Sequence, residues 1–255
     1  VTRQLENKTA FVTGGSRGIG REIAKRLAAD GAVVGLTYNT SPEGADETVA
    51  AIEDAGGRAF ALHADLADAG AIPSLFSAFD EQLSDMTGAT KLDILVNTAG
   101  SSGFGGLTDS DQDAFDHMFA THTRAPFFMI KSAIDRMGEG GRIINFSSGL
   151  STRPNPAASI YSMAKASVNV MTHVLAMELG PKGITVNAVA PGWTRTDMNA
   201  AVRENADMVK AIEADTALGR FGETDDIAPV VAFLASDEGR WVTGQVIEAS
   251  GGYDL

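Results

Sequence analysis

The chain contains no cysteine, so disulfides, thiolate metal sites and cysteine nucleophiles are excluded at the outset. Positive charge is scarce. Lys and Arg number 20 against 33 Asp and Glu, a formal net charge of −13, which disfavours nucleic acid or an anionic membrane as a partner. No apolar run approaches the roughly 20 residues needed to span a bilayer. The opening stretch VTRQLENKTAFVTGG has no apolar secretory core and enters a strand-like run almost at once, so a cytoplasmic protein is expected. Histidine is limited to four residues. His63, His117 and His173 show no ligand-like spacing, and no carboxylate–histidine cluster suggests a metal. What is present is ordinary for a sizeable core: 255 residues, 44% of them apolar.

Short apolar runs alternate with longer amphipathic stretches. The runs are TAFVT (9–13), AVVGLTY (32–38), RAFALHA (58–64), LDILVN (92–97), GRIINFS (141–147), ITVNAVA (184–190) and GQVIEA (244–249). REIAKRLAADG (21–31) is a helical stretch with Gly31 as its C-cap. Strand-like runs separated by helices imply βαβ units and an α/β fold, its parallel strands apolar on both faces. There is no linker, low-complexity tract or internal repeat, so one domain over 1–255 is expected. The segment DMTGATK (85–91) reads as a surface insertion.

The first run leads into TGGSRGIG (13–20) and directly into a helix. Gly14, Gly18 and Gly20 permit a tight turn that brings backbone amides close to a ligand. A helix N-terminus there favours an anion, most simply a pyrophosphate. An acid after the second strand would grip a ribose 2′-hydroxyl and select NAD, whereas a nearby Arg suits the 2′-phosphate of NADP. The second run ends in Tyr38 and Asn39 with no carboxylate, and Arg17 sits in the glycine turn. The cofactor expected is NADP(H).

In IYSMAKAS (160–167), Tyr161 and Lys165 stand four apart, with Ser159 upstream as a plausible cap. Residues at i and i+4 share a helix face. A phenol titrates near ~10, and an adjacent ammonium lowers that value toward the working range. By spacing alone the pair is either an acid–base device or a half-buried tyrosine beside a solvated lysine.

Taken together, these segments resemble the short-chain dehydrogenases/reductases over essentially the whole chain. TGGSRGIG, including Ser16 and Ile19, is similar to that family's T-G-x-x-x-G-x-G cofactor loop. HADLAD (63–68) resembles its adenine-contacting segment, with Asp65 and Leu66 at the matching positions. LVNTAG (95–100) resembles its N-N-A-G element through Asn97, Ala99 and Gly100, with Thr98 in place of the second Asn. NFSSGLSTRPNPAASIYSMAK is similar to the catalytic stretch, with Ser148 thirteen residues before Tyr161. VNAVAPGWTRTDM (186–198) resembles the segment that holds the nicotinamide carboxamide, through Pro191, Gly192, Thr194 and Thr196.

The resemblance implies a single-domain Rossmann fold, a doubly wound seven-stranded parallel sheet flanked by helices. It implies that Tyr161 donates a proton as NADPH delivers hydride and that Ser148 orients the substrate carbonyl. Lys165 would lower the Tyr161 pKa and bind the nicotinamide ribose. Ser147, one residue before Ser148, should point to the opposite side. The family's fourth catalytic residue is an Asn that supports a water relaying protons to the lysine, and here HTRAPFF puts His122 in that slot. A backbone role for this position is expected, because Pro126 leaves a nearby carbonyl unpaired.

The stretch at about 192–221 is expected to be a substrate lid, and its Trp193, Met198, Met208 and Leu218 either border an apolar substrate or pack in the core. Acyl carrier proteins are acidic and need a basic docking surface, so a free ketone or aldehyde is preferred over a 3-oxoacyl carrier thioester. A non-catalytic NADPH-binding sensor is a further alternative, and a sugar-nucleotide epimerase or dehydratase is disfavoured by chain length and glycine spacing. The resemblance implies a homotetramer or dimer built through two long helices (about 112–137 and 159–180) and the C-terminal strand.

Overall fold

The computed structural model describes residues 4–255. Its strands are β1 (Thr9–Thr13), β2 (Val33–Tyr38), β3 (Arg58–His63), β4 (Ile94–Asn97), β5 (Arg142–Phe146), β6 (Thr185–Pro191) and β7 (Val246–Ala249). They form one parallel sheet in the order β3-β2-β1-β4-β5-β6-β7. Nine α-helices of the described residues connect them: α1 (Gly18–Ala29), α2 (Pro42–Asp54), α3 (Ile72–Thr87), α4 (Gln112–Phe119), α5 (Ala125–Ala133), α6 (Ser159–Leu179), α7 (Ala200–Arg203), α8 (Ala206–Ala214) and α9 (Thr224–Ala235).

The continuous apolar character of the runs follows from burial on both faces. Successive strand residues point to opposite sides. Ala10 and Val12 of β1, Ile94 and Val96 of β4, and Ile144 of β5 enter a core shared with α1, α2 and α9. Phe11, Leu95 and Ile143, the intervening residues, enter a second core with α3, α5 and α6. There Phe11 stacks on Phe79 at 4.3 Å and meets Phe76 edge-on at 5.5 Å. Gly35 of β2 makes room for this cluster, since a Cβ would lie 2.8 Å from both Phe60 and Phe79. The sheet order reverses between β1 and β4, so their following loops diverge and leave a crevice at the carboxyl edge. No helix among the described residues is long and apolar enough to cross a membrane.

Several local expectations need correction. The first helix begins at Gly18 rather than at residue 21, and its C-cap is Asp30, with Gly31 following at φ 109°. Asp85–Thr87 are the last turn of α3, which ends on a left-handed Gly88. The rest of the 85–91 segment is an exposed loop after it. Ser159 is the first residue of α6 and Ala158 its N-cap, and the Ser159 hydroxyl donates to the Pro156 carbonyl at 3.0 Å. The helix expected over 112–137 is interrupted by a π-turn at Ala120–Arg124 and ends at Ala133. The cause is Pro126: lacking an N–H, it cannot serve the His122 carbonyl one turn earlier. Ala125 instead donates to Ala120, five residues back. Such bulges inside helices occur often at functional sites.

Candidate active site

The glycine turn sits at the mouth of the crevice. Gly14 and Gly18 have φ of 70° and 56°, a region side-chain-bearing residues rarely adopt. Each glycine also faces a close neighbour. A Cβ at Gly14 would lie 2.9 Å from Ala99 Cα, and one at Gly20 would lie 2.3 Å from the Gly14 carbonyl oxygen. Gly15 donates to the Thr37 carbonyl, and Arg21 grips the Ser16 carbonyl at 2.6 Å, so β2 and α1 hold the turn open. Ser16 is buried and Ile19 half-buried, while Arg17 is exposed at the head of α1.

Beside the turn, Tyr38 is half-buried with its ring 5.5 Å from His63, and Asn39 is exposed. Asp65 accepts the Ala67 N–H at 3.0 Å, and Leu66 packs into the core. On the β4 side, the Asn97 amide donates to Asn145 at 3.0 Å, and its own Oδ1 is buried without a partner among the described residues. Thr98 donates its hydroxyl to the Thr13 carbonyl, and Ala99 N–H bonds Thr13 Oγ1 at 3.0 Å. The Thr98 departure is therefore a tie between the two diverging loops. Gly100 faces the His122 ring, where a Cβ would come within 2.5 Å of Cε1.

The far wall is the loop after β6. Gly192 N–H donates to Ala249, Thr194 is buried with its hydroxyl on the Gly192 carbonyl, and Thr196 caps a 3-10 turn. Thr196 Cγ2 lies across from Gly18, 3.4 Å from where a Cβ would be. A crevice lined by close-approach glycines, open helix N–H groups and an orphaned amide oxygen fits an extended dinucleotide. Beyond this loop, Met198 and Leu218 are 52% and 70% exposed, and Met208 is exposed too. They do not pack in the core. Trp193 is half-buried between Phe221 and Tyr253, with centroids at 6.2 Å and 6.5 Å.

Ser148, Tyr161 and Lys165 meet at the end of β5. The two serines take different partners on α6. Ser147 is buried with its hydroxyl on Asn169 at 2.5 Å, whereas Ser148 Oγ accepts the Leu150 N–H and stands beside the Tyr161 phenol. Lys165 is only 6% exposed, and its ammonium donates to the Phe146 carbonyl at 2.8 Å. Burial pushes its pKa down from 10.5 to about 7.

The expected lowering of the Tyr161 pKa is not found. Burial raises it, and the nearby Ser148 hydroxyl offsets only part of that rise. Lys165 Nζ lies 5.7 Å from the Tyr161 ring centroid, occupied by the Phe146 carbonyl. His122 is 2% exposed, inside the π-turn, with its ring edge-on to Tyr161 at 5.4 Å. Its Nε2 lies 2.9 Å from the Ser101 carbonyl, and Nδ1 is buried without a partner among the described residues. Burial and the Lys165 charge lower the imidazole pKa to about 2.

Two residues with a part in this geometry escaped the motif reading. Arg21 supports the glycine turn, and Asn169 holds Ser147. Asn169 follows Lys165 by one helical turn, a signal legible in the spacing.

A family described as enoyl-(acyl carrier protein) reductase matches residues 14–254. An uncharacterized oxidoreductase of Methylorubrum extorquens is 42% identical over 250 residues, covering 98% of both chains. Among solved structures, the promiscuous reductase LugOII, which catalyses keto-reduction at C1 during lugdunomycin biosynthesis, superposes with a TM-score of 0.95 at 44% identity, over 99% of this chain and 100% of its own. The angucycline C-6 ketoreductase LanV with bound NADP gives 0.94 at 42% identity, over 99% and 97%.

Proposed function

The chain belongs to the short-chain dehydrogenase/reductase family as an NADP(H)-dependent oxidoreductase that acts on carbonyls, and from that premise we propose that it reduces a free ketone or aldehyde to an alcohol with Tyr161 as proton donor. The observation that carries this reading is the convergence of Ser148 and Tyr161 beside buried Lys165, whose Nζ lies 5.7 Å from the Tyr161 ring centroid. The whole chain acts as one cytoplasmic domain, with residues 192–221 as its lid.

When bound, NADPH supplies a hydride. Gly14, Ser16, Gly18, Ile19 and Gly20 would cradle the pyrophosphate, and Arg17 with Tyr38 and Asn39 would receive the 2′-phosphate. Asp65 and Leu66 would border the adenine. Asn97, Ala99, Gly100, Pro191, Gly192, Thr194 and Thr196 would line the nicotinamide half.

Ser148 Oγ accepts from Leu150 N–H, so its own proton is free to donate to a substrate carbonyl oxygen. Tyr161 passes its phenolic proton to that oxygen as charge develops there. Lys165 holds the ribose hydroxyls and, when protonated, favours the tyrosinate left behind. In oxidation the same groups run in reverse.

The exposed apolar side chains of the lid, Met198, Met208 and Leu218, together with half-buried Trp193, favour a bulky apolar carbonyl, and ketones of the angucycline type named for LanV are the first candidates. A carrier-bound acyl group would bring an acidic partner to a chain of net charge −13. Assembly is a homotetramer or dimer. The groove of about 900 Å³ between α4–α5 and α6, flanked by exposed Phe127, Val170 and Val174, receives a second copy of this chain, and light scattering reads the result.

The test is NADPH oxidation with polycyclic aromatic ketones, simple ketones, aldehydes and one oxoacyl thioester. Tyr161→Phe should bind NADPH normally while turnover falls about 10²-fold or more. Binding without turnover on every carbonyl would support the sensor reading instead.

A further inference from the structure

Tyr161 and Lys165 stand one turn apart on α6, and the next turn brings Asn169 onto the same face. Its side-chain amide touches the loop that carries Ser148 from both sides. Ser147 Oγ donates to Asn169 Oδ1 at 2.5 Å. Asn169 Nδ2 donates to Ser151 Oγ at 2.9 Å, and Ser151 Oγ donates to the Ser148 carbonyl at 2.6 Å.

The proton directions are consistent at every step. A flipped amide would claim the single Ser151 proton and cost the bond to Ser148. Ser148 itself heads the turn Gly149–Ser151 in extended backbone, with its Oγ fixed by the Leu150 N–H at 3.2 Å. The loop is therefore anchored before Ser148 through Ser147 and after it through Ser151, and both anchors end on one side chain.

We infer that Asn169 is a positioning residue, holding the Ser148 hydroxyl in register with Tyr161 so that one face of α6 sets both the proton donor and the group that orients the carbonyl. This rests on the role proposed above for Ser148. Asn169 touches neither the reacting atoms nor the glycine cradle. Its removal should slow the chemical step and leave cofactor binding alone.

The experiment is a double-mutant cycle on Ser148→Ala and Asn169→Ala, with Ser151→Ala as an independent cut in the same chain of bonds. For each variant, kcat and KM are measured, NADPH affinity is read by fluorescence titration, and the thermal midpoint is recorded. Asn169→Ala and Ser151→Ala should each lower kcat about tenfold with NADPH affinity unchanged, since small misplacements of a catalytic group are costly. The Ser148→Ala/Asn169→Ala double variant should be no slower than Ser148→Ala, because Asn169 acts through that hydroxyl.

Wild-type turnover in Asn169→Ala, or losses that multiply in the double variant, would overturn the inference. Wild-type turnover in Ser148→Ala would overturn the reading beneath it, a result distinguishable from the first two. If Asn169→Ala does not fold, the Ser148→Ala/Ser151→Ala cycle decides by the same criterion.

Discussion

Lys165 makes folding stability depend on pH in a direction opposite to that of a lysine held in an ion pair. Its side chain is 6% exposed and bonded to the Phe146 carbonyl, and burial alone pushes its pKa from 10.5 to about 7. The folded pKa therefore lies below the unfolded one, and the unfolded chain binds more protons between them. Stability rises with pH across that window. The cost of burying the ammonium is complete below about pH 7 and disappears toward pH 10.5.

At about 1.4 kcal/mol per pH unit, the gain between pH 7 and 9.5 is about 3 kcal/mol. Neighbouring groups stay out of this range, because His122 is held near 2 and burial carries Tyr161 above its ordinary 10.0. The assay is urea unfolding of wild type and Lys165→Met without cofactor, in steps from pH 6 to 9.5. Taking the difference between the two proteins cancels other titrations. That difference should move in favour of wild type as pH rises, by about 3 kcal/mol. A flat difference would show that folded Lys165 keeps its proton, and would refute burial as the governing effect.

Gly20→Ala should lower NADPH affinity more than tenfold, since a Cβ there meets the Gly14 carbonyl at 2.3 Å and the cradle must shift; fluorescence titration checks it, and unchanged affinity would remove the turn from the cofactor site. Arg17→Ala should weaken NADPH much more than NADH, because only NADPH offers a phosphate to a charged hydrogen bond, and Tyr38→Asp should shift preference toward NADH. Equal use of both cofactors by wild type would contradict that assignment. His122→Asn should keep substantial turnover, and the wild-type pH–rate profile should show no limb near 6.5 from an imidazole held at about 2; a limb there that vanishes in His122→Asn would make the ring a proton carrier.

Much of the fold was legible because its signals are local. Runs such as LDILVN and GRIINFS are apolar without alternation, as strands covered on both faces must be, and β4 and β5 lie within them. The glycine turn was legible through the positive φ of Gly14 and Gly18 and the approach of Gly20 to Gly14, all local, although the contacts of Gly14 with Ala99 and of Gly18 with Thr196 come from the fold. The corrections fall where a neighbour distant in sequence, or a single missing N–H, intervened. The resemblance implied one long helix over about 112–137, yet Pro126 broke its bonding and produced the π-turn that turns His122 inward. The 85–91 segment looked like an insertion because nothing in its composition reveals that α3 continues to Thr87.

The sequence by itself determined that Tyr161 and Lys165 share a helix face, because a 3.6-residue period acts without regard to the rest of the chain. Their electrostatics are another matter. Lys165 donates to a carbonyl nineteen residues away, and Tyr161 is raised by burial rather than lowered by its neighbour. The choice between Ser147 and Ser148 was open to strand alternation, but the bonds that enforce it run to Asn169 on another element. Only the tertiary structure could decide these points, because desolvation and hydrogen-bond satisfaction depend on which groups the fold brings together.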